Sequence, residues 1–249
     1  MPNPFTSKKI LIAVSLMLVM CGIVLTFHFL SPHSQKISFP GATPQKGTSS
    51  EIITDCTPKF SHHFTDVDTI DSIVPPVFRN REGTMPTTLI NTMGKTPLYM
   101  PTAGKLTQGA YYTEQGTEFY MWEVDVGCGI TITFDHVTEP VEKIRMMFSD
   151  TPKNDSRTAF FEAPLKLEAG ELVGHTTGSV NSHNWNFAVY DVREKNFLWG
   201  ASTFSDMPKY YMQVCPFKYY EGQMAAPYED LFVLSFNEIT VEKNLCGHK

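Results

Sequence analysis

The stretch NSHNWNFAVYDVREKN, residues 181–196, reads as one half-buried strand, and the rest of the chain is interpreted outward from it. Side chains alternate along a strand, so Asn184, Asn186 and Ala188 fall on one face and Trp185, Phe187 and Val189 on the other. The second face is wholly apolar and asks for a core. The first sets two carboxamides side by side, as a sheet does when it displays a site, yet an amide is a poor metal ligand and a poor base. A working site, a disabled one and an ordinary solvated face all fit this pattern.

The neighbouring segments are also strand-like. TPLYMPTAGKLTQGAYY holds a strand, a Pro-Thr-Ala-Gly turn around Gly104 and a second strand from Lys105. EFYMWEVDV sets Phe119, Met121 and Glu123 against Tyr120, Trp122 and Val124. GCGITITFDHV sets Ile130, Ile132 and Phe134 against Thr131, Thr133 and Asp135, with Gly127 and Gly129 supplying a turn or bulge before it. Gly170, Gly174 and Gly178 punctuate short apolar pieces as tight turns do. VEKIRMMFSD reads as a short helix or strand, and a short helix is expected near residues 227–232. No helical periodicity is long enough to build an α/β sheet, so the chain is expected to be mainly β.

Residues 10–30, ILIAVSLMLVMCGIVLTFHFL, form an apolar run preceded by Lys8 and Lys9. About 20 apolar residues cross a bilayer, and the two lysines favour a cytoplasmic N-terminus. A cleaved signal peptide and a lipoprotein signal around Cys21 are the rival readings; the run is long for the first, and Met20 is bulky for the second. The expected plan is a cytoplasmic N-terminus (1–9), a single transmembrane anchor (10–30), a Pro/Ser/Thr/Gly-rich tether (31–55) and one extracytoplasmic domain (56–249).

With Lys8 and Lys9 set aside, 18 basic residues face all 26 acidic ones, a formal balance of −8. No basic stripe interrupts it, which argues against nucleic acid and anionic headgroups as partners. Cys56, Cys128, Cys215 and Cys246 lie outside the apolar run, and no Cys-x-x-Cys spacing points to zinc. An even count in an exported segment favours two disulfides, with three pairings open. Cys215–Cys246 with Cys56–Cys128 is the expected one, the first pinning the C-terminal tail.

The order of the strand segments resembles the lysostaphin-type zinc endopeptidases of bacterial cell walls. TPLYMPTAGKL matches that family's hairpin, FDHV its Tyr-x-His-Leu-like element, LEAGELVGHTTG its Ala-Gly turn and NWNFAV its His-Leu-His-Phe strand. The resemblance covers residues 96–193 and implies a duplicated-hybrid-motif-like β-sandwich or barrel. It also implies where zinc and its catalytic partners would sit, and there this chain departs. The two histidines of the family's His-x-His strand fall on Asn184 and Asn186. The remaining His and Asp ligands should lie within residues 83–91, GTMPTTLIN, which holds neither. Of the pattern only His136 is kept. A neutral amide oxygen binds zinc poorly and cannot exchange a proton near neutral pH.

Other chemistry is thinly represented. A cluster of His62, His63 and His136 could in principle rebuild a metal site, although adjacent histidines in a polar segment are usually surface residues. His183 is one residue out of register, and His175 sits in a turn. Lys166 lacks the flanking motif of a carrier lysine, and Asn154-Asp155-Ser156 is a glycosylation sequon that matters only in a eukaryotic secretory route. No nucleophile elbow, phosphate loop or dinucleotide fingerprint occurs.

The resemblance therefore implies a catalytically inactive, membrane-anchored binding or regulatory module, without cofactor, for a cell-envelope protein or a peptidoglycan or glycan strand. Its expected groove is lined by Asn184, Asn186, His136 and Tyr99. A zinc peptidase with a displaced metal site and a purely structural envelope protein are the alternatives. Residues 199–249 match nothing in the resembled family and could cover the former cleft.

Overall fold

The alternation in NWNFAVYD is realised as a strand, Asn184–Asp191, with Trp185, Phe187 and Val189 fully buried and both amides half-buried. The computed structural model describes residues 56–201 and 207–247. The expected cytoplasmic N-terminus, anchor and tether, residues 1–55, lie outside the described residues. Among those described, no helix is long and apolar enough to cross a membrane.

Among the described residues fifteen strands follow in chain order: β1 (Ile70–Val74), β2 (Phe78–Asn80), β3 (Gly83–Met85), β4 (Thr88–Thr92), β5 (Thr96–Tyr99), β6 (Gly104–Glu114), β7 (Thr117–Gly127), β8 (Ile130–Val137), β9 (Glu139–Pro140), β10 (Ala159–Leu167), β11 (Leu172–Thr176), β12 (Asn184–Asp191), β13 (Gln213–Val214), β14 (Ser235–Phe236) and β15 (Ile239–Val241). The helices are single turns: α1 (Glu142–Arg145), α2 (Ala226–Glu229), and 3-10 turns at Val67–Thr69, Pro208–Met212 and Pro216–Tyr219. The protein is mainly β.

The principal sheet runs β1-β4-β12-β8-β7-β6-β10, all antiparallel, with β13 beside the far end of β12. Its two edges, β1 and β10, do not pair, so the sheet is open and no barrel closes. A three-stranded sheet, β5-β11-β9, and a four-stranded one, β14-β15-β2-β3, accompany it.

One face of the principal sheet is the core face. Trp122, Val124, Ile130, Ile132, Phe134, Trp185, Phe187 and Val189 point into it and meet Leu98 and Val173 of the small sheet. Phe64 is the hub: its ring stacks on Phe187 at 4.2 Å and on Tyr228 at 4.8 Å, and meets Trp185 edge-on at 5.7 Å. The C-terminal segment, whose role the sequence leaves open, completes this layer with Phe217, Tyr219, Tyr220 and Tyr228. Pro216 and Pro227 suit the first positions of the short turns that carry those rings.

Cys56 pairs with Cys128 (Cα–Cα 5.6 Å) and Cys215 with Cys246 (4.9 Å), the pairing expected from the sequence. The bridges close loops of 72 and 31 residues in sequence separation, and in the chain-entropy picture each removes about 4 kcal/mol of unfolded-state freedom.

Phe64→Ala empties the centre of this aromatic stack and is expected to destabilise the domain by about 3–5 kcal/mol, read from urea denaturation followed by tryptophan fluorescence. A loss below about 1 kcal/mol would mean that the ring is not the hub.

Candidate functional site

The outer face of the principal sheet gathers polar side chains where β4, β12 and β8 run side by side, next to Leu89 of β4, which stands opposite Asn186 and is buried with Val74 and Phe78. Asn184 stands opposite Asn91 of β4, and Asn186 stands opposite Asp135 of β8. Three carboxamides and a carboxylate therefore share one surface. Asn91 is buried, and its Nδ2 donates to Ser72 Oγ at 2.9 Å. Asn184 Oδ1 accepts from Ser179 Oγ at 2.9 Å. Gly178 makes that contact possible: it sits at φ +68°, and a Cβ there would lie 2.5 Å from the backbone of His183 and Asn184.

His136 reaches the same surface through a break in alternation. Strict alternation would send it to the core side with Phe134. Between the pairs Trp122↔Phe134 and Tyr120↔Val137, however, β8 carries one residue more than β7, and His136 takes a left-handed φ of 60°. This bulge turns the imidazole outward, next to the side chain of Asp135. Asn186 Nδ2 lies 3.4 Å from both His136 Nδ1 and Asp135 Oδ2. His136 Nε2 lies 3.1 Å from Glu114 Oε2, and the Phe119 ring meets the imidazole edge-on at 5.0 Å. Asp135 Oδ1 accepts from the Tyr112 hydroxyl and from the His136 N–H, each at 2.7 Å.

Charge follows from this geometry. Burial of the imidazole opposes its protonation, but the Asp135 carboxylate and the hydrogen bond to Glu114 outweigh that, and the His136 pKa is raised. The hydrogen bond from His136 holds the Glu114 carboxyl below its ordinary value. Burial beside Asp135 pushes the Tyr112 phenol far up, so it stays a donor. The site is thus rich in acceptors and anionic, with two carboxylates to one imidazole. Asn91 Oδ1 and Asn186 Oδ1 are buried without a partner among protein groups. Each such orphan costs about 1–3 kcal/mol.

The sequence-predicted residues separate into two groups. Asn184, Asn186 and His136 come together. Tyr99 does not join them: it lies on β5 in the three-stranded sheet, where burial and the charge of Asp66 raise its pKa. His62 pairs with Ser61, and His63 Nδ1 with the Tyr228 hydroxyl at 2.9 Å, so neither accompanies His136. His183 is exposed. Among the described residues no group of three or more His, Cys, Asp or Glu side chains could hold a metal ion. Sequence reading missed Asn91, Glu114 and Tyr112. The alternation in TTLIN could have flagged Asn91; the bulge that gathers the others has no clear sequence signal.

Part of the C-terminal segment covers the other end of this face. Lys209, on the turn Pro208–Met212, pairs with the buried Glu123, and the Tyr210 ring lies 6.3 Å from that of Tyr190. The cover sits over the Tyr190 end of β12 and leaves Asn184 and Asn186 half-exposed.

No family model matches the sequence, and no curated protein matches it. Two solved structures of Helicobacter pylori Csd3 align at 11% identity. The orthorhombic crystal form gives a TM-score of 0.36 over 70% of this chain and 40% of that chain. The hexagonal form gives 0.37 over 66% and 34%. This chain spans less than half the length of either Csd3 chain, and TM-scores this low do not establish a common fold.

The raised His136 pKa makes stability depend on pH with a definite sign. The folded state holds a proton that the unfolded chain releases near the ordinary histidine value of 6.5. The stabilisation is therefore fully present below that pH and is lost as pH rises through the folded-state value. Urea midpoints of the wild type should fall between pH 6 and pH 8, and His136→Gln should flatten that slope. An unchanged slope in the variant would place the proton elsewhere.

Proposed function

We propose that this protein is a membrane-anchored, catalytically inactive relative of the cell-wall endopeptidases that binds a cell-envelope component outside the membrane. The observation that carries the reading is the row Asn91, Asn184, Asn186 beside His136, on one sheet face. In the resembled family that strand supplies a zinc ligand and a catalytic imidazole; here it offers carboxamides, which do neither. The order of four sequence motifs supports the same scaffold, a duplicated-hybrid-motif-like sheet.

The chemistry of the face favours a ligand that brings hydrogen-bond donors. The exposed Glu114 carboxylate and the half-buried Asn184, Asn186 and Asp135 side chains suit the N–H groups of a peptide or a free ammonium better than an anionic polymer. The peptide part of peptidoglycan, or an extended segment of an envelope protein, has that character. A peptidase with a displaced metal site would need a ligand set that the described residues do not assemble. A purely structural envelope role would leave the amides without a ligand.

Co-sedimentation of the full-length protein with purified peptidoglycan sacculi tests the binding reading. Asn184→Ala with Asn186→Ala should weaken retention about tenfold, the loss of one to two hydrogen bonds, while the thermal midpoint stays near the wild-type value. Retention unaffected by both changes would favour the structural role.

A further inference from the structure

We infer that the loop following β12, residues 192–200, is a lipid-facing surface that rests the domain on the headgroup layer of the bilayer that holds it. The inference relies on the membrane anchor proposed above and concerns a face distinct from the amide row.

The loop is rigid. Asn196 Nδ2 donates to the carbonyls of Tyr210 (2.8 Å) and Gln213 (3.1 Å), Asn196 Oδ1 accepts from Leu198 N–H, and Trp199 N–H donates to Asn196 O at 3.1 Å. Leu198 is buried with Val77 and Tyr211, and the half-exposed Trp199 ring meets that of Tyr211 edge-on at 5.6 Å. Val192, Phe197 and Trp199, within eight residues of the chain, are 57%, 43% and 51% exposed. A lysine attends each ring: Lys195 Nζ lies 3.8 Å above Trp199, and Lys243 Nζ lies 5.2 Å from Phe197. Amphipathic rings with cationic stems beside them are suited to the boundary between headgroups and acyl chains.

The point where the tether joins the domain selects the bilayer over other occupants. Arg193, in the same loop, donates to Cys56 O at 2.7 Å, and Val192 N–H donates to Gly129 O beside the Cys56–Cys128 bridge. Cys56 is the first described residue, and the 25 residues of the sequence-predicted tether precede it. With only those 25 residues between the proposed anchor and Cys56, the aromatic face is kept within reach of the membrane surface at high effective concentration. The overall acidic balance argues against a purely electrostatic attachment, and the contact is accordingly apolar and aromatic, with zwitterionic lipid sufficient.

The test uses the three tryptophans. Trp122 and Trp185 are fully buried, so Trp199 is the one that a quencher in the bilayer can reach. The full-length protein is reconstituted into phosphatidylcholine vesicles whose acyl chains are brominated near the carbonyl, then floated on a density gradient. Flotation reads the anchor; quenching of tryptophan emission reads the docking. The expected result is flotation together with a quenched component that Trp199→Phe removes. Flotation without quenching, or with quenching unchanged in Trp199→Phe, overturns the docking and leaves the anchor standing. Failure to float overturns the anchor and the docking with it.

Discussion

The register of β12 between β4 and β8 is the constraint on which the structure turns. Because side chains alternate with period two, a slip of one residue would carry Trp185, Phe187 and Val189 to the polar face and put the amides into the core. Each large apolar side chain contributes about 1.5–3 kcal/mol on burial, so the correct register is favoured by several times that amount. Phe64 locks it from the opposite layer by stacking on Phe187 and meeting Trp185. The position of the amide row is a consequence of packing on the far side of the same strand.

That row is chemically quiet by composition rather than by blockage. Asn184 and Asn186 are half-exposed, and the C-terminal cover sits over the Tyr190 end of the strand. An amide offers neither a basic lone pair nor an exchangeable proton near neutral pH, so no arrangement of three such groups makes a metal centre or an acid–base pair. The one titratable ring, His136, is held between Asp135 and Glu114, which favour its charged form. Such a surface sets hydrogen-bond acceptors on either side of a single imidazole.

Much of this was legible in the sequence because strand alternation is a local rule. The two faces of β7, β8 and β12 follow directly from their residues, whereas the Cys215–Cys246 and Cys56–Cys128 pairing is one of three that an even cysteine count leaves open. Non-local geometry was not legible. Tyr99 sits in a matching hairpin but belongs to another sheet, which motif order alone does not specify. The bulge that swings His136 outward depends on the pairing of β8 with β7, and Asn91 joins the row only because β4 pairs with β12. The openness of the sheet likewise rests on β1 and β10 failing to meet, a property of the whole chain.

Calorimetric titration of the purified, chelator-treated protein with zinc tests the central claim most directly. A face of carboxamides beside a lone carboxylate-flanked imidazole should give no stoichiometric binding, and His136→Gln should leave the trace unchanged. One equivalent of tightly bound zinc that disappears in His136→Gln would contradict the account and restore the chain to the metal-dependent enzymes.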